Sequence, residues 1–298
     1  MMDVEIKILK EITDEDGEKC VCYMINDEYR EGSQITATVD YWKRLFTMPV
    51  YEDDMFIATF PRVGTTLTQT IILSLLSKKY GCDEYMNQSP FIELVYKHYD
   101  GWKAATECER PRLLKTHLIT TLMPKQYFSV RPKSVIVLRN IYDCLISNYY
   151  FYMSIPVYRT IHKDVTFDEF FNYMVVDELH CYGSIFRWHK FWLKYATSQG
   201  SDHCLIIKYE DIVNDKVATT NKIAGFFSIN ACGASLKRVE EATEFKAMQQ
   251  RFESFLVKNF VREGQIGKGR NELSENQRIL LRKKLDAELG DLASLIEK

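Results

Sequence analysis

The sequence predicts an α/β fold, with a central, mostly parallel β-sheet flanked by helices and a single domain spanning residues 1–298. Three observations carry this expectation. The apolar run Met55–Phe60 leads through a glycine-containing turn into apolar residues at helical spacing. Two later apolar runs, Ser134–Leu138 and Cys204–Ile207, are each followed by a helix-like stretch, the alternation that covers a parallel sheet with helices. No internal repeat, low-complexity tract or Pro/Gly/Ser-rich linker divides the chain, and 46% hydrophobic residues suffice for one sizeable core.

The first run stops at Pro61, as expected of a buried strand entering a turn. Leu67, Ile71, Ile72, Leu75 and Leu76 then share one helical face, which predicts a helix from about Thr66 to Lys79. Further along, Thr166 with Glu169 and Ser274 with Gln277 have the spacing of capping boxes, the second opening a helix toward the C-terminus.

Composition excludes several functions. Lysine and arginine number 39 against 41 acidic residues, so no overall basic field exists to hold nucleic acid or an anionic membrane, and any phosphate binding must be local. No stretch approaches the ~20 apolar residues of a membrane span, and Met1-Met2-Asp3-Val4-Glu5 lacks a signal-peptide core. The eight cysteines form no paired C-x-x-C groups, which reads as reduced thiols without a metal site. A cytoplasmic enzyme is the expected address.

Chemistry concentrates first in Thr59-Phe60-Pro61-Arg62-Val63-Gly64-Thr65-Thr66-Leu67. Gly64 permits close approach of backbone to ligand, and the following helix start offers free N–H groups and the positive end of its dipole. Thr65 and Thr66 add hydroxyls, and Arg62 adds a planar cation able to grip two oxygens. Taken alone, the same turn also fits a plain strand-to-helix connection capped by threonine. It lacks the first glycine and terminal lysine of a Walker A loop, which disfavours an ordinary kinase or nucleotidase.

The turn resembles the Tyr-Pro-Lys-Ser-Gly-Thr-Thr-Trp phosphosulfate loop of the cytosolic sulfotransferases, and other segments agree in order. Arg112-Leu113-Leu114-Lys115-Thr116-His117-Leu118 resembles the family's Leu-Lys-Thr-His-Leu segment. Leu138-Arg139-Asn140, with Asp143 and Ser147-Asn148-Tyr149-Tyr150-Phe151, resembles the stretch that holds the donor's ribose phosphate. Lys208-Tyr209-Glu210-Asp211, Thr243-Glu244-Phe245 and Phe260-Val261-Arg262-Glu263-Gly264 resemble the Tyr-Glu-Asp strand end, the Thr-Ser-Phe adenine contact and the Arg-Lys-Gly clamp.

The resemblance implies transfer of a sulfonate group from the nucleotide donor PAPS, leaving PAP, to the hydroxyl of a small aromatic or apolar acceptor of phenol, catecholamine or sterol type, with no metal. It makes His117 the general base, while Lys115, two residues earlier on an extended segment, faces the same way and stabilises the sulfonate. Arg62 stands where the family has the lysine that neutralises the leaving group. Arg139, Ser147 and Arg262 inherit the ribose-phosphate contacts, and Glu263 replaces a family lysine in the clamp. Tyr209, Thr243 and Phe245 fall to the adenine, with Val63, Gly64, Thr65, Thr66, Leu67, Phe260 and Gly264 completing the donor site. As bare residues, Tyr209, Thr243 and Phe245 fit a core equally well.

For the acceptor, the resemblance points to Met86, Phe91 and Leu94 between the loop and His117, with Phe151 and Tyr152 closing the other wall. The segment Gly267–Glu275 departs from the family's dimer signature, leaving the oligomeric state open. Two rival readings remain at this level: an ATP-dependent P-loop phosphotransferase, and a non-catalytic relative that binds nucleotide or hydrophobic ligands.

Overall fold

The computed structural model of the protein describes residues 4–13, 19–33, 36–78, 82–96, 98–155, 165–253 and 261–297. The chain opens with three strands, β1 (Ile6–Thr13), β2 (Lys19–Ile25) and β3 (Glu28–Ser33), and helix α1 (Val39–Phe46). Strand β4 (Met55–Thr59) and helix α2 (Thr65–Leu75) follow, then helix α3 (Cys82–Gln88), the ribbon β5 (Val95–Tyr96) with β6 (Tyr99–Asp100), and helix α4 (Gly101–Glu107). Next come β7 (Leu113–Thr116), α5 (Lys125–Val130), β8 (Lys133–Leu138), α6 (Ile141–Ser154) and, after further helices, β9 (Cys204–Lys208).

Strands β7, β4, β8 and β9 form one parallel sheet in that order. Every residue of β4 is buried, as its unbroken apolar run requires of a central strand sandwiched between layers. Helix α2 begins one residue before its expected start and ends at Leu75. Almost all of α2 is buried, and its polar Gln69 is satisfied by the Ser89 and Tyr85 hydroxyls at 2.8 and 2.6 Å. Both expected capping boxes are present, at Thr166 and Ser274.

The three-stranded antiparallel sheet β1–β2–β3 was not anticipated from the sequence. Its β2–β3 hairpin turns through Asn26 and Asp27, both at positive φ (44° and 66°), the conformation that matches the twist of paired strands. The turn chemistry was legible, but flanking cysteines and charges concealed the strands.

A buried ion pair joins the entrance of the sheet to the loops beneath it. Arg112 (1% exposed) meets both Asp54 oxygens, at 2.8 and 2.5 Å, and donates to the carbonyls of Ala105 and Pro49 at 2.9 and 3.0 Å. Removing one partner strands a buried charge, so Asp54→Ala should lose about 3–5 kcal/mol in denaturant unfolding. A loss below 1 kcal/mol would contradict the assignment.

Candidate active site

The carboxyl ends of all four parallel strands converge on one cavity of about 720 Å³. Strand β4 runs out through Pro61 and Arg62, β7 through Lys115 and His117, β8 through Arg139, and β9 through Tyr209.

The turn after β4 bends sharply, with Arg62 at φ 68° and Gly64 at φ 101° as the N-cap of α2. A Cβ on Gly64 would stand 2.6 Å from the Tyr209 ring, so glycine lets this ring press against the backbone. Thr65 links through its hydroxyl to that of Thr59 at 2.8 Å, while Thr66 and Leu67 line the cavity beside it. Val63 differs from expectation: it is fully buried and packs into the hydrophobic core rather than the cavity wall.

His117 is buried, and its Nδ1 lies 2.8 Å from the carbonyl oxygen of Thr59. Nδ1 also lies 2.9 Å from the Thr59 hydroxyl, which can accept as well as donate; because the carbonyl can only accept, a proton on Nδ1 satisfies both contacts and leaves Nε2 its lone pair. Nε2 has no hydrogen-bond partner among the described residues. Burial first, then the Lys115 charge, hold the imidazole well below its ordinary pKa, so it is neutral near pH 7. Its backbone is pinned on both sides: the N–H donates to Glu93 Oε1 at 2.6 Å, and the carbonyl accepts Trp188 Nε1 at 3.1 Å. Trp192, one helical turn further along Ile185–Gln199, donates to the Leu118 carbonyl at 2.9 Å.

A second cavity histidine, His180, has both ring nitrogens engaged, one with Asn148 Oδ1 and the other with the Tyr182 N–H. His189 and His203 bond to backbone carbonyls, His98 is exposed, and His162 lies outside the described residues. His189 also keeps an unpartnered Nε2 but does not line the cavity; of the two cavity histidines among the described residues, His117 is the one with a ring nitrogen left over, a distinction composition could not make.

The ring of Phe91 bridges the two expected reactive groups, with Lys115 Nζ 3.9 Å from its centre and the His117 ring at 4.8 Å. Burial pulls the Lys115 ammonium down to about 8, opposed by Glu93 and reinforced by Arg62. Glu93 is itself pushed up to about 7 by burial, against the hydrogen bonds from His117 N–H and the Thr116 hydroxyl.

Arg62 donates from Nε to the Ser147 hydroxyl at 3.2 Å and lies over the Phe151 ring, 4.7 Å from its centre. Burial, then Arg139, lower it to about 10, so it remains a cation. Arg139 donates to the Arg62 carbonyl at 2.9 Å and lies 4.4 Å from the centre of the Tyr209 ring, yet its buried Nε has no partner. Arg262, Gly264, Thr243 and Phe245 line the same end, with Phe245 packed against Gly264. Glu263 contacts Arg262 at 3.3 Å and Lys268 at 3.8 Å, and both cations line the cavity. Lys268 was not singled out from the sequence. Asp143 anchors this segment by accepting the Gly267 and Gly269 N–H groups, each at 2.7 Å.

At the other end Leu94, Phe151 and Tyr152 line the cavity wall. Met86 does not: it packs on the core, while its carbonyl accepts the Tyr99 hydroxyl at 3.2 Å. Phe260 lies outside the described residues. Arg30, Tyr182 and Glu93 line this end and went unassigned; the Asn26-Asp27 turn was the one signal that could have brought Arg30 forward. The described cysteines are free thiols except Cys82, whose side chain is not described. Among the described residues no cluster has metal-ligating composition, and no helix is long and apolar enough to cross a membrane.

A cationic crevice at a strand-turn-helix junction, adjoining an apolar chamber with a neutral histidine, defines a site for an anionic ligand beside an apolar one. Residues 52–293 match the sulfotransferase domain family, and the chain belongs to it. Human sulfotransferase 1C2 is 26% identical over 84% of this chain and 89% of its own, and mouse sulfotransferase 2A1 is 30% identical over 67% and 68%. In fold the chain is similar to retinol dehydratase in a complex with retinol and PAP (TM-score 0.76, 16% identity, 97% and 98% covered). It is likewise similar to mouse sulfotransferase SULT7A1 complexed with PAP (TM-score 0.73, 19% identity, 90% and 96% covered). The protein is a sulfotransferase enzyme.

Gly64→Ala forces a side chain into the Tyr209 ring at a left-handed φ and should destabilise by about 1–3 kcal/mol. Gly225→Ala, helical with nothing within 4 Å of the new Cβ, should instead stabilise by about 0.5–1 kcal/mol. Thermal unfolding of the pair checks the ordering.

Proposed function

We propose that the protein transfers the sulfonate of PAPS to the hydroxyl of a small aromatic or apolar acceptor, with His117 as general base. The observation that carries this reading is the pinned tautomer of His117, whose free Nε2 faces a chamber walled by Phe91 and Tyr182. Structural neighbours in complex with PAP support the donor, and those in complex with retinol or androsterone support small acceptors.

The cavity fits such a donor on its own chemistry. The unpartnered Nε of Arg139, the cations of Arg62, Arg262 and Lys268, and the N-terminal turn of α2 suit the phosphates. Tyr209 and Phe245, with Thr243 beneath, suit a purine face. When bound, PAPS supplies a sulfonate joined to phosphate through an oxygen that departs with the nucleotide.

The chain's residues then divide the work. His117 Nε2 takes the acceptor's hydroxyl proton as the new S–O bond forms, and the Thr59 carbonyl steadies the resulting imidazolium through Nδ1–H. Lys115 offers positive charge to the sulfonate in flight. Arg62, with Ser147, offers charge where the old S–O bond breaks and the oxygen becomes anionic. Arginine serves in this lysine position because charge rather than proton donation is needed. Glu263 does not leave an uncompensated anion in the clamp, because Arg262 and Lys268 flank it.

Labelled sulfonate transfer from PAPS across phenols, catecholamines and sterols tests the reaction. His117→Ala should lower kcat by about 10²–10⁴-fold while PAP affinity persists. PAP binding without transfer to any acceptor would favour the non-catalytic relative. Arg62→Ala should reduce kcat far more than donor affinity, and Arg62→Lys should stay active; near wild-type turnover of Arg62→Ala at saturating donor would remove its leaving-group role. Lys115 loses its proton as pH rises through about 8, so kcat/KM should fall above that pH. Lys115→Met should abolish that limb of the profile.

A further inference from the structure

Arg30 sits on β3, in the sheet that precedes the family-matched residues 52–293. Across the hairpin it pairs with Tyr23, and both side chains line the acceptor end of the cavity. Arg30 is only 3% exposed, yet Nε, Nη1 and Nη2 all lack a hydrogen-bond partner among the described residues. Glu28 and Glu93 feel its charge, but no neighbouring carboxylate hydrogen-bonds its nitrogens. Glu93 accepts from His117 and Thr116, Glu31 accepts from the Tyr29 and Tyr173 hydroxyls, and Glu28 pairs with Arg187 at 2.7 Å.

Arg112 supplies the internal contrast, since it is equally buried but bonded at every guanidinium nitrogen. A desolvated guanidinium with unused donors is costly, and folding alone gives no reason to keep it. Its Cζ lies 5.4 Å from the centre of the Tyr182 ring, which in turn stands 5.0 Å from the His117 ring. One aromatic wall thus connects the stranded cation to the neutral base.

We propose that Arg30 is an anion-recognition site of the acceptor chamber, and that the acceptor is a hydroxy acid whose carboxylate binds Arg30 while its hydroxyl meets His117. The inference rests on the sulfonate-transfer reading of His117 and deepens it by naming the acceptor class. The planar fork of arginine matches a carboxylate bidentately. Glu31 and Glu93 share the chamber walls, so a monoanion fits the local charge where a phosphate dianion meets repulsion. The acceptor's body remains apolar and aromatic, as Phe91, Tyr182 and Tyr23 require.

The test compares 3-(4-hydroxyphenyl)propionate with its uncharged methyl ester, by calorimetric binding to the protein with PAP present and by sulfonate transfer. Wild type should prefer the acid by about 10- to 100-fold, the worth of a charge-assisted hydrogen-bonded pair. In Arg30→Met the acid-to-ester ratio should collapse toward one, and Arg30→Lys should keep part of it. Arg30→Met should also melt close to wild type, since the lost contact with the Tyr182 ring is offset by removing a buried cation with unsatisfied donors. Equal binding of acid and ester to wild type, or an unchanged ratio in Arg30→Met, overturns the proposal. The wild-type comparison stands even if a variant fails to fold. Acid preference in binding without transfer to any acceptor would remove the sulfonate-transfer reading and leave the Arg30 site intact; transfer with no acid preference would do the reverse.

Discussion

The hydrogen bond from His117 Nδ1–H to the Thr59 carbonyl is the constraint on which the rest of the site depends. It exists because β4 and β7 are parallel neighbours in register, with Ala58 opposite Thr116, so both strands end at the same level. That single bond selects the tautomer, aims Nε2 away from the sheet, and fixes the imidazole beside the turn that opens α2. The Thr65–Thr59 hydroxyl contact extends the link to the first residue of that helix. Trp188 and Trp192 hold the strand end from the far side, so the base is set by a rigid frame rather than by a loop.

Charge in the cavity is arranged by the same economy. Lys115, Arg62, Arg139 and Arg30 share one partly desolvated space with Glu93, whose oxygens are occupied by β7. Burial first, then the neighbouring charge of Lys115, keeps His117 neutral, and burial with Arg62 lowers Lys115 against the opposing pull of Glu93. Anionic ligands are the natural complement of such a site. Where the protein needs a buried arginine only for structure, at Arg112, it supplies a complete set of acceptors.

The nucleotide end shows how a departure from a family motif is absorbed in three dimensions. Glu263 stands where the motif resemblance implies lysine, but Asp143 draws the following turn inward and brings Lys268 to the cavity beside Glu263. The sign of the local potential is therefore a property of the folded segment rather than of the three-residue motif.

By itself the sequence determined the strand-turn-helix units, the parallel central sheet, both capping boxes and most residues that meet in the cavity, because these rest on local periodicity and short motifs. It misplaced Val63 and Met86, since motif position does not say which way a side chain leaves the backbone. It did not reveal the β1–β3 sheet, where alternation is blurred by charges and cysteines on a partly exposed hairpin. Only the tertiary structure decided which histidine brings a free nitrogen to the cavity, since all six look alike as letters, and it brought Arg30 and Lys268 there too. Satisfaction of a buried polar group depends on partners distant in the chain, and that information appears only once the strands are paired.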